Sequence, residues 1–130
     1  MEDVNDTPIN PVHERRALIK TEPAPHPRHD AIVTLSGTFS DKILRLRYIP
    51  DRDLILPTSL STYLEAIMND NASSLEALSQ LILEDINDQL IPSWLEVSLI
   101  DKGETFTHEV RIEDRQPHWK DRGLLDRLEP

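Results

Sequence analysis

Cysteine is absent from this 130-residue chain. That absence excludes disulfides, thiolate metal sites and cysteine nucleophiles in one step. Glycine is nearly as scarce, with three residues, so no glycine-rich loop is available to cradle a phosphate. Positive charge is outnumbered: 14 Lys and Arg stand against 24 Asp and Glu, for a net charge of −10. A nucleic-acid backbone calls for a basic surface, so nucleic acid is not an expected partner. No apolar run approaches the ~20 residues of a membrane span. The acidic opening MEDVNDTPINPVHERR also lacks the apolar core of a secretory signal. These absences lead to the expectation of a cytoplasmic protein with no membrane partner.

What remains is 38% hydrophobic and 29% charged, the polar end of the globular range. At this length one domain with its own core is expected, carrying polar tails. Residues 1–29 hold Pro8, Pro11, Pro23, Pro25 and Pro27 among mixed charges. Such a composition buries too little surface to offset its ordering entropy, so an extended or disordered arm is expected there. The body is expected over residues 30–114. A tail occupies 115–130, where Trp119, Leu124, Leu125 and Leu128 could dock it on the body or on a neighbouring subunit.

The body begins with two β-rich runs, 31–39 and 43–49, joined by the turn-like SDK. In the second run Leu44, Leu46 and Tyr48 share one face, and Arg45 and Arg47 take the other. Pro50 and Pro57 punctuate a connection to the first helix. That helix is expected over 59–69, where Leu60, Tyr63, Leu64, Ile67 and Met68 recur at helical spacing. A second is expected over 75–90, with the stripe Leu75, Leu78, Leu81, Ile82, Ile86 and Leu90. Two more alternating runs then place Leu95, Val97 and Leu99 opposite Trp94, Glu96 and Ser98. The last sets Phe106, His108, Val110 and Ile112 opposite Thr105, Thr107, Glu109 and Arg111. The order ββααββ implies an α+β domain: a four-stranded antiparallel sheet with two helices on one face and a charged face behind.

This order and the charged sheet face resemble the tunnelling fold, in which several subunits close their sheets into a barrel. More specifically, the chain looks like the 7-cyano-7-deazaguanine reductases of queuosine biosynthesis, over about Pro23 to Trp94. The likeness lies in YIPD (Tyr48–Asp51) with its spacing to SLSTYL (Ser59–Leu64), in LEDINDQLIPSWLEV, and in the proline-rich lead PAPHPRHDAIV. The resemblance implies the fold and a homo-oligomer joined through its sheet edges. It does not extend to the catalytic segments. The family carries its cysteine in a Cys-Pro-x-Thr-Gly-Gln-Pro-Asp segment between the first two strands. Aligned without a gap, Val33 takes the cysteine position and Ser40 that of the aspartate; with a gap the segment is gone and a plain hairpin remains.

The family's NADPH signature, Glu-Ser-Lys-Ser-x-Lys, becomes LPTSLS at Leu56–Ser61, without the lysines that would hold phosphates. In the Phe-His-Glu motif that reads the base, Ser74 and Leu75 replace the first two residues, and Glu76 survives. Nitrile reduction, which proceeds through a covalent thioimide, is therefore not expected, and no cofactor is expected either. The resemblance gives Glu76 the role of gripping the N–H edge of a purine- or pterin-like base. The sequence alone offers a simpler role, a capping box from Ser73 to Glu76 at the start of the second helix.

Other candidates have plainer explanations. His26 and His29 in HPRH are expected to be solvated loop residues rather than metal ligands. His108 alternates onto the apolar face, where a satisfied core histidine is expected. Glu84, Asp85 and Asp88 read as a solvated helix face. Arg45 and Arg47 could bind an anion inside a barrel, and pairing with Glu96 or Glu109 is their plainer role. The reading is a catalytically degenerate relative of the reductases that binds a purine- or pterin-like base at a subunit interface. Its alternative is a structural or partner subunit with no small-molecule ligand; a cysteine-independent enzyme acting on a pterin or purine ranks behind both.

Overall fold

A computed structural model of the protein describes residues 11–25, 31–68, 74–117, 119 and 123–128. The elements run α1 (Pro11–Ala17), β1 (Thr21–Pro23), β2 (Val33–Phe39), β3 (Lys42–Ile49), β4 (Asp53–Ile55), α2 (Pro57–Met68), α3 (Leu75–Leu90), β5 (Trp94–Lys102), β6 (Thr107–Arg115) and α4 (Gly123–Asp126). The fold is α+β. Strands β2, β3, β5 and β6 lie side by side in that order, each antiparallel to the next, and β1 pairs with β4 in a separate two-stranded sheet. No helix among the described residues is long and apolar enough to cross a membrane.

The hairpin between β2 and β3 turns at Ser40 and Asp41, both with left-handed backbone, φ 46° and 67°. A two-residue turn of that hand matches the twist of the strands it joins. Strand alternation sends Leu44, Leu46, Tyr48, Leu95, Val97 and Leu99 inward against the helical stripes, all fully buried. Helix α2 starts at Pro57, two residues earlier than the spacing suggests, because proline fits the first helical position where no N–H is needed.

The structure corrects the reading of the N-terminal arm. Residues 11–25 are folded: α1 packs on α3 and α2, β1 extends β4, and Ile19 is buried in the core. Residues 1–10 and 26–29 lie outside the described residues. The arm's ordering is offset by charge pairing and by edge pairing to β4, neither of which composition reveals. The helix-free face of the sheet also departs from expectation. Ile49, Trp94, Arg47 and Glu96 all sit there and are at most 5% exposed, so the end of the sheet near Trp94 is buried on both faces. In the tail, α4 keeps Leu124 and Leu125 half-buried, as are Trp119 and Leu128.

Candidate functional site

Helix α3 is capped by Ser74, whose extended backbone lets Oγ accept the Ala77 N–H at 3.0 Å. The expected Ser73–Glu76 capping box is therefore replaced by a cap one residue later; Ser73 itself lies outside the described residues. Glu76 then falls within the first turn, exposed, with its carboxylate free to turn toward the sheet. Its partner is His108 of β6, with Nε2 3.0 Å from Glu76 Oε2. The Glu76 backbone N–H, and after it His108, hold this carboxyl below the usual glutamate range.

His108 is thus not the buried histidine that alternation suggests; its side chain is 50% exposed. Strand β6 is the last strand of its sheet, and the core ends at Val110 and Ile112, so the inward face of β6 reaches past the buried layer at His108. Phe106 precedes the strand and is 80% exposed. At the opposite edge, β2 and α2 enclose a mostly apolar hollow of about 240 Å³, lined by Leu35, Leu44, Pro57, Leu60 and Leu64 among others.

A second polar centre is structural. Asp85 of α3 is wholly buried and accepts from Arg15 Nε at 2.6 Å and Nη2 at 2.9 Å, from Arg16 Nε at 2.7 Å, and from the Tyr63 hydroxyl at 2.5 Å. Burial opposes its charge, but the hydrogen bonds from Arg15, Tyr63 and Arg16 outweigh that and hold its carboxyl below the ordinary aspartate value. Burial, and then the bond to Asp85, push the Tyr63 phenol far up. Asp85 is therefore no part of a solvated helix face, although Glu84 and Asp88 are not buried with it. A signal was present: Asp85 stands three positions beyond Ile82, on the buried stripe.

On the helix-free face Arg47 pairs with Glu96 at 2.6 Å and lies over the Trp94 ring at 5.9 Å. Trp94 Nε1 donates to Glu113, 2.9 Å away, and that bond comes first in holding the Glu113 carboxyl low. Every one of these carboxylates is occupied by a partner, so they brace the fold.

The positions that the resemblance would set against the reductases' catalytic segments hold ordinary structure. Val33 pairs with Tyr48 at the start of β2, and Ser40 occupies the hairpin turn. LPTSLS opens α2, where Ser59 Oγ accepts the Lys20 N–H and donates to the Leu56 carbonyl. His26 and His29 lie outside the described residues. Among the described residues, no group of three or more His, Cys, Asp or Glu side chains could hold a metal ion. The result is an acidic α+β domain with an exposed carboxylate–imidazole pair beside an outer strand. No protein-family model matches the chain, and no curated protein matches it.

Proposed function

We propose that this chain is a subunit of a closed homo-oligomer of the tunnelling-fold type, holding a purine- or pterin-like base at the seam between copies through Glu76, without redox chemistry. The observation that carries the reading is the position of Glu76 and His108 at one outer edge of the sheet and of the apolar hollow at the other. Both lie on the helix face. The strand register sets His108, Asp101, Lys42 and Phe39 in one row, so the pair and the β2 end of the hollow stand near the same level. Strand directions alternate throughout, and an antiparallel meeting of β6 with the β2 of a neighbour continues the pattern head to tail. Strand β2 carries no charged side chain over its seven residues, so it lacks the usual protection of an outer strand against pairing. A carboxylate has about four acceptor positions, so contact with His108 leaves Glu76 able to take the N–H edge of a base.

Sedimentation of the purified chain, with calorimetry against guanine-, deazaguanine- and pterin-type bases, tests this reading. An oligomer that binds one of these bases is the expected result, with Glu76→Gln weakening binding about tenfold or more through loss of a charge-assisted contact. A monomer, or binding unchanged by Glu76→Gln, overturns it. An oligomer that takes up none of the bases overturns the base-binding part and leaves a structural subunit.

A further inference from the structure

The helix-free face of the sheet divides into two halves. Near Trp94 it is buried; toward the other end it opens into a depression of about 330 Å³ lined by Ser36, Ile43, Arg45, Ser98, Ile100, Glu109 and Arg111. The register explains the depression. Ser36, Arg45, Ser98 and Arg111 stand opposite one another in a single row across all four strands. Two arginines therefore flank a serine whose short side chain leaves a floor between them. With strands ~4.8 Å apart, their Cα atoms are about 10 Å apart, close enough for both guanidinium groups to converge on one small anion.

Among the described arginines of this sheet, these two are also the ones whose carboxylate contacts are long. Arg47 and Arg115 approach carboxylates to 2.6 and 2.8 Å. Arg45 comes only to 3.8 Å of Glu96, which Arg47 already occupies, and Arg111 only to 3.8 Å of Glu109. Neither contact is a hydrogen bond. The depression thus gathers two cationic groups and one carboxylate in a protein of net charge −10. Its flanks, Ile43 and Ile100, are half-buried apolar side chains that limit screening by water. Ser98 is 2% exposed, and its hydroxyl, 3.5 Å from Glu109, faces the same space.

We infer that Arg45, Ser98 and Arg111 form a binding site for a small phosphate-type oxyanion, with Glu109 as the internal competitor that an anion displaces. Guanidinium groups match the oxygen geometry of phosphate, and the serine hydroxyl adds a donor between them. The site is on the opposite sheet face from Glu76 and does not rest on the base-binding reading.

The test is a titration of the isotope-labelled full chain with inorganic phosphate in low-salt buffer, monitored by nuclear magnetic resonance. Saturable shifts centred on the amides of Arg45, Ser98 and Arg111 are expected. Arg45→Gln and Arg111→Gln should each weaken binding about tenfold, the loss of one charged hydrogen-bonding partner. Glu109→Gln should tighten it by removing the competing carboxylate. The side chains of Arg45, Arg111 and Glu109 are all at least partly exposed, so the variants are expected to keep the wild-type melting temperature. Absence of saturable shifts, or both arginine variants binding like wild type, overturns the proposal. Shifts centred on Arg15 and Arg16 instead would overturn it as well.

Discussion

Arg15 grips Asp85 through two guanidinium nitrogens from 70 residues away along the chain. Arg16 and Tyr63 complete the set, so four hydrogen bonds converge on one wholly buried carboxylate. This cluster ties α1 to α2 and α3 and accounts for the order of a segment whose composition argues against it. Removing the carboxylate takes these four hydrogen bonds away from two guanidinium groups and a buried hydroxyl. Asp85→Ala should cost about 3–5 kcal/mol of folding stability, as breaking a buried ion pair does. Asp85→Asn, which keeps the shape, should cost less. Urea denaturation measures both, and limited proteolysis should show cleavage near Ala17 appearing first in the alanine variant.

The same group gives the fold an acid limit. The folded state holds Asp85 below its ordinary value, so the unfolded chain binds the proton more readily. Its contribution is fully present above the unfolded value, about pH 4, and is lost as pH falls through the lower folded value. Glu113 adds to the same trend, since its carboxyl is lowered too. The stability gap between wild type and Asp85→Asn should therefore be constant near neutrality and narrow below about pH 4. A gap that stays constant down to about pH 3 on the urea-midpoint profile would contradict this account.

An alkaline limit comes from the tyrosines. The chain has two, Tyr48 and Tyr63, and both are buried. Burial raises the Tyr48 phenol, against a hydrogen bond received from the Ile55 N–H and with the Glu22 charge adding to the rise. Burial and then Asp85 raise Tyr63. The unfolded chain thus ionises its tyrosines first, and the stability they contribute is complete below the ordinary value of 10.0 and lost as pH rises above it. Tyrosinate absorbance should stay flat through that value and then rise together with the loss of circular dichroism. Separate ionisation ahead of unfolding would show that at least one phenol is accessible.

How much of this was legible in the sequence depended on periodicity. The helix over Leu75–Leu90 and the alternation of β3 and β5 were readable because each keeps one period across a buried face. The folded arm was not, since its order comes from contacts across long chain separation, which local composition does not register. His108 was misplaced because alternation gives the direction of a side chain and not where the core ends. Glu76 was identifiable as a first-turn acid of a helix, but its partner, 32 residues away, emerges only from the meeting of α3 with β6.

The end of α3 offers a point where stability can be added. Its C-cap residue, Ile91, adopts left-handed backbone with φ 47° and ψ 59° while its N–H completes a bond to the Asn87 carbonyl. A β-branched residue is strained there, by about 1–2 kcal/mol, because Cβ crowds the neighbouring carbonyl. Pro92 makes the position necessary: it cannot continue the helix, and the chain must turn at once into β5. The Ile91 side chain gives little in return, being 58% exposed. Glycine accepts this backbone freely but loses more freedom on folding, which offsets part of the relief. Ile91→Gly should therefore stabilise the fold by about 0.5–1 kcal/mol, and Ile91→Asn by somewhat less, since asparagine tolerates the same conformation less well than glycine. Ile91→Val, equally branched, should gain nothing. Thermal melting of the three variants checks the order Gly, Asn, Val; a destabilised glycine variant would mean that the exposed isoleucine contributes contacts outweighing its strain.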